Sequence, residues 1–182
     1  MSKLISAEAT LERGFSLFEV LITVVVISIG LLGLAGLQFA GLRAANNAQE
    51  HTLATLLAQD IAERLHANRS VAASYDGITL DNASGVALAK DCADITKNCL
   101  PDELKNYDSY EWYQLIAPTT GAPLLPNLSI SINLTNVDAF AVASFQSTLK
   151  WGDHSTGQSL ITDFSVCTNT NPNPTPPLCT DP

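Results

Sequence analysis

Gly14-Phe15-Ser16-Leu17-Phe18-Glu19, followed by Val20–Ala40 (VLITVVVISIGLLGLAGLQFA), is the stretch on which the reading of this chain turns. No residue from Val20 to Ala40 is charged; Glu19 stands just before the run and Arg43 just after it. At ~1.5 Å per helical residue the run reaches across a hydrocarbon core of ~30 Å. A helix that is apolar on every side has no stable place in water, so this segment belongs in a bilayer or inside a protein assembly. A cleavable secretory signal peptide would have a shorter apolar core, with the small-residue cleavage site after it. Here the polar break, Glu12-Arg13-Gly14, comes before the core. Lys3 and Arg13 precede the span and Arg43 follows it, which gives a slight preference for an N-terminus on the cytoplasmic side.

Glu19 is costly where it stands. A carboxylate drawn toward the membrane centre costs about 2.5–3.5 kcal/mol on insertion scales, and such groups usually find a partner. The span holds no cation at suitable spacing. A cut between Gly14 and Phe15 would create a new amine on Phe15. That cation, in a neighbouring subunit staggered along a filament, would pair with Glu19 and set both register and partner. The four glycines Gly30, Gly33, Gly36 and Gly41 weaken the helix by ~1 kcal/mol each relative to alanine. Their three-residue spacing is not a GxxxG seam. Residues Gly30 to Gly36 are therefore read as a weak stretch able to bend or unwind in an assembly, against the plainer reading of close helix packing.

The junction, the glutamate five residues beyond the glycine and the unbroken apolar run together resemble the class III signal of type IV pilins and pseudopilins. The resemblance implies that a prepilin peptidase cuts after Gly14 and methylates the Phe15 amine. It also implies that Glu19 is needed for assembly. Residues 1–14 would be a leader, 15–43 the transmembrane and filament-core helix, 44–70 its amphipathic continuation and 71–182 a globular domain.

Within the continuation, Leu53, Leu56, Leu57, Ile61 and Leu65 recur at three- and four-residue steps and share one face. Asp60 and Arg64 form an i,i+4 pair worth tenths of a kcal/mol on a surface. His51, Glu63, His66 and Arg69 are expected on the solvated face, with no metal. Asn68–Ser74 reads as the helix end, and Tyr75–Asn106, rich in Asp, Asn, Ser and Gly, as an irregular loop. A short helix over Asp108–Ala117 is expected, capped by Asp108 with Glu111 three residues on, and ended by Pro118. Alternation predicts three strands, carried by Leu128–Leu134, Phe145–Trp151 and Leu160–Val166. Gly152–Gly157 would turn between the last two. The fold class is therefore α+β: a long N-terminal helix, transmembrane then amphipathic, packed on a small antiparallel sheet in the pilin-like manner. The tail from Thr168 to Pro182 is too poor in apolar residues to add a core element.

Four cysteines, Cys92, Cys99, Cys167 and Cys179, all follow the apolar run. None forms a C-x-x-C pair, which argues against a zinc ribbon or a dithiol redox site. Export by the span would place them where disulfides persist. Three pairings are open; Cys92–Cys99 and Cys167–Cys179 are favoured because each closes a short loop, worth roughly 2–3 kcal/mol apiece by loop entropy.

The net charge of −9 and the lack of a basic patch argue against nucleic acid. There is no G-x-S-x-G, H-E-x-x-H or phosphate-binding glycine loop, and Asp153-His154-Ser155 are too close in sequence to aim at one point; no enzyme and no cofactor is expected.

Three patches narrow the resemblance to PilV-type minor pilins, also called type IV pilus modification proteins. They are Ser28–Gln38, then Cys99 with Asp108, Glu111-Trp112 and Leu125-Pro126, and lastly Trp151-Gly152-Asp153. Phe18 departs from the more usual aliphatic residue before the glutamate. This resemblance implies a low-abundance subunit that primes pilus assembly and serves adhesion or twitching motility near the tip. Its implied partners are prepilin peptidase, other minor pilins, the major pilin, the inner-membrane assembly machinery and a large tip adhesin. Its implied place is the bacterial inner membrane, single-pass with a cytoplasmic N-terminus, and then the pilus, with the globular domain periplasmic or extracellular. The alternative within the superfamily is a minor pseudopilin of a type II secretion system, whose N-terminal signal would be nearly identical.

Overall fold

The computed structural model describes residues 15–94, 96–138, 142–152 and 157–168. The chain divides into two compact units, Met1–Asn47 and Ala48–Pro182.

Helix α1, Leu17–Ala67, contributes to both units. Its β-branched run would be a poor helix former in water, but in an apolar medium every backbone N–H and C=O must be satisfied within the segment, and the helix does this. The two hydroxyls of the run are satisfied in the same way: Thr23 donates to the Val20 carbonyl at 2.8 Å and Ser28 to that of Val24 at 2.7 Å. The helix is long and apolar enough to cross a membrane.

In the second unit, Ala54, Leu57, Ala58, Ile61 and Leu65 form the buried stripe of α1. The stripe follows the three- and four-residue spacing of the leucines, except that Leu56 stays 56 % exposed. After Ala67 the chain tightens into a 3-10 segment, Arg69–Tyr75, interrupted at Val71. Gly77, at φ +74°, then turns the chain into β1, Ile78–Leu80.

Helix α2 spans Pro101–Ile116, and its start corrects two expectations. The stretch Tyr75–Asn106 is not wholly irregular, since it holds β1 and the first turns of α2. Asp108 is not a cap but a buried residue in the middle of the helix. The actual start uses Pro101, whose fixed φ and missing N–H suit the first turn, and Glu103, whose carboxylate accepts the Leu100 N–H at 2.8 Å.

Among the described residues the sheet has four strands rather than the expected three, in the order β1-β2-β3-β4, every pair antiparallel. The longer strands are β2 Ser129–Val137, β3 Val142–Trp151 and β4 Gln158–Cys167. Register aligns Leu80, Ile130, Leu149 and Leu160 in one row and Leu134, Phe145 and Phe164 in another. These inward rows meet α1 together with Trp112 and Ile116 of α2 in a single core. Burial alternates along β3 and β4, as a half-buried strand requires. Residues 153–156 and 169–182 lie outside the described residues, and with them the expected turn, the Asp153-His154-Ser155 trio and most of the tail.

Candidate functional site

The described part of the N-terminal segment is organised by local bonds. Ser16 stands just before α1; its hydroxyl accepts the Phe18 N–H at 3.4 Å and its carbonyl accepts those of Glu19 and Val20. The serine thus meets donors that a helix start leaves orphaned. Glu19 falls in the first turn, where the helix dipole favours a negative charge by ~0.3–1 kcal/mol. Among the described residues its carboxylate has no ion-pair partner. Gly14 lies outside the described residues, and with it the expected Gly14–Phe15 junction.

Every described residue from Phe15 to Gln49 is exposed, including Phe15 at 83 % and Leu17 at 89 %. Such an apolar surface far exceeds what a free soluble chain tolerates. Gly30, Gly33, Gly36 and Gly41 sit in unbroken helix, and a Cβ built on any of them meets nothing within 4 Å. Among the described residues no contact calls for glycine there.

A second cluster, in the other unit, ties α1 to α2. Arg64 donates to Asp60 at 2.9 Å, to Asp108 at 2.8 Å and to Glu111 at 3.5 Å. Tyr75 donates its hydroxyl to the other Asp108 oxygen at 2.5 Å and accepts from the Asn68 amide at 3.0 Å. Asn68 also donates to the Pro101 carbonyl, and the Trp112 indole donates to Asp60 at 2.9 Å. Burial works against the Arg64 charge, but the hydrogen bonds to Asp108 and Asp60 outweigh it and hold the guanidinium protonated beyond its ordinary range. Burial first, then the bond to Asp108, pushes the Tyr75 phenol well above its ordinary value. The Asp60–Arg64 pair is therefore no isolated surface pair. Its partners stand 44 to 52 residues away, a distance at which sequence spacing carries no signal.

The loop before α2 is stapled by the Cys92–Cys99 disulfide. Lys90 bridges this loop to α2 by donating to the Asn98 carbonyl at 2.8 Å and to Glu103 at 2.6 Å. The Lys90 bond first, and then the Leu100 N–H, lower the Glu103 carboxyl below its usual range. Cys167 is also disulfide-bonded; its expected partner, Cys179, lies outside the described residues. His51 is exposed but not merely solvated, since its ring meets Trp151 edge-on at 5.2 Å, beside the Trp151 indole bond to Glu50. Among the described residues no cluster of His, Cys, Asp and Glu could hold a metal.

Two family models match. The prokaryotic N-terminal methylation motif covers residues 10–35, spanning the Gly14–Phe15 junction and Glu19. The model described as type IV pilin Tt1218 covers residues 36–110, from the end of the apolar run into α2. These matches support the type IV pilin superfamily. A subunit of that superfamily is processed by prepilin peptidase and assembled with other pilins, and the matches imply as much for this chain. No curated protein and no solved structure matches the chain significantly.

Proposed function

We propose that the chain is a minor pilin subunit of a type IV pilus. In this reading residues 1–14 are a leader removed by prepilin peptidase, and Phe15 becomes the methylated N-terminus. Residues 15–43 hold the subunit in the inner membrane and later in the filament core, residues 44–70 continue the helix, and residues 71–182 form the exported domain. The observation that carries the reading is Glu19: an ionisable side chain at the head of a fully exposed apolar helix, with no ion-pair partner among the described residues. A Phe15 amine on the neighbouring subunit is a partner of the right charge at the right depth. The PilV-like patches around Trp112 and Trp151 favour a pilus subunit that takes part in priming, adhesion or motility.

The test is mass spectrometry of the N-terminal peptide from sheared surface filaments and from membranes. A methylated Phe15 terminus in the sheared material is the expected result. A processed terminus confined to the membrane would move the assignment to the pseudopilin of a type II secretion system. A chain still beginning at Met1 in both fractions, in cells with active prepilin peptidase, would overturn the cleavage itself.

A further inference from the structure

Within the second unit, α1, α2 and the loop after α2 enclose a groove of about 280 Å³. Its apolar wall includes Leu53 and Leu56 of α1 and Leu115 and Leu124 on the other side. Leu56 is 56 % exposed although it belongs to the apolar series of α1. One lip is acidic. Asp60, Asp108 and Glu111 converge on the single guanidinium of Arg64, three negative charges against one positive. Asp108 is buried, but the carboxylates of Asp60 and Glu111 are 42 % and 41 % exposed, Asp60 also accepting from the Trp112 indole and Glu111 from the Tyr107 hydroxyl, each at 2.9 Å. Such a groove fits a helix that brings large apolar side chains and a cation on one face.

The chain carries such a face itself. Phe39, Leu42 and Arg43 stand at i, i+3 and i+4 on the exposed first part of α1, with Phe39 57 % and Leu42 65 % exposed. The Arg43 guanidinium lies 4.2 Å from the Phe39 ring centroid, so cation and ring present one knob. Arg43 is the sole Lys or Arg among the described residues of the first unit. We propose that the leucine-lined groove receives the Phe39–Leu42–Arg43 segment of a second copy of this chain, with Arg43 meeting Asp60 and Glu111. This inference rests on the assembly reading above and adds to it a site, a partner and a charge pairing.

The test uses two full-length copies with different tags, co-expressed in membranes and oxidised with copper phenanthroline. One copy carries Leu56→Cys and the other Leu42→Cys. Cys92 and Cys99 are already bonded to each other. A cross-linked product bearing both tags is expected, and none when Leu31→Cys in mid-span replaces Leu42→Cys. Glu111→Lys on the groove copy should lower the yield severalfold, and Arg43→Glu on the other copy should restore it. If Leu21→Cys pairs within the spans cross-link while the groove pair does not, the groove proposal fails and assembly stands. If neither pair cross-links, the groove proposal fails, and a methylated Phe15 terminus in sheared filaments then decides whether assembly stands without a second copy alongside. A yield indifferent to both charge reversals overturns the pairing, and capture of a different pilin in place of the second copy overturns the partner.

Discussion

Replacing Asp108 by alanine should loosen α2 from α1 without touching the apolar core. The carboxylate side chain is 4 % exposed and serves two donors from two other elements, Arg64 at 2.8 Å and Tyr75 at 2.5 Å. Removing it leaves the buried Tyr75 hydroxyl without its acceptor, which costs about 1–3 kcal/mol. The charge-assisted bond to Arg64 adds ~1.5–3 kcal/mol in the general case. The lower end applies here, because Arg64 is 29 % exposed and keeps both oxygens of Asp60. The expected loss for Asp108→Ala is therefore about 3–4 kcal/mol, near the usual ~3–5 kcal/mol for breaking a buried pair from one side. Asp108→Asn, which keeps an acceptor but loses the charge, should cost about half as much. Denaturant unfolding of the full-length protein in detergent measures this directly by tryptophan fluorescence. Both tryptophans, Trp112 and Trp151, are buried in the second unit and report its unfolding. A cycle with Tyr75→Phe isolates the Tyr75–Asp108 term, expected at ~1 kcal/mol or more. An Asp108→Ala loss under ~1 kcal/mol, or a cycle without coupling, would refute the claim that this carboxylate joins the two helices.

Three further outcomes are expected. Glu19→Ala should still be inserted and processed, because the apolar run is untouched, but its recovery in sheared filaments should fall sharply; undiminished incorporation would remove the pairing argument. Replacing Cys92 and Cys99 by serine opens a loop of sequence separation 7 and should cost about 2–3 kcal/mol of stability, read as a drop in Tm relative to the parent under non-reducing conditions; an unchanged Tm would refute the staple's role. The Glu103 carboxyl is depressed below the ordinary glutamate value of about 4.5, so its contribution is present above that pH and fades as pH falls through the folded value. Tm measured from pH 7 down to pH 3 should therefore fall more steeply below about 4.5 in the parent than in Glu103→Gln, and parallel profiles would refute the role of the Lys90 bridge.

The long N-terminal helix was legible because its determinants are local. The run Val20–Ala40 is apolar over a span that only a bilayer or an assembly can accommodate. The leucine series from Leu53 to Leu65 rests on the spacing of neighbours in the chain. Strands β2, β3 and β4 were visible for the same reason, since alternation repeats within each. The sequence could not reveal β1, whose three residues are too short to alternate and are held by pairing with Ile130–Ile132. The start of α2 was hidden because Pro101 and Glu103 sat inside a stretch whose composition reads as loop. Tertiary structure alone turned Asp108 from a supposed cap into a buried acceptor and made the Asp60–Arg64 pair the centre of a network. A carboxylate's role depends on what burial removes from around it and on donors that the fold brings in from Tyr75 and Arg64. Neither solvent exclusion nor a partner 33 or 44 residues away is a property of local sequence.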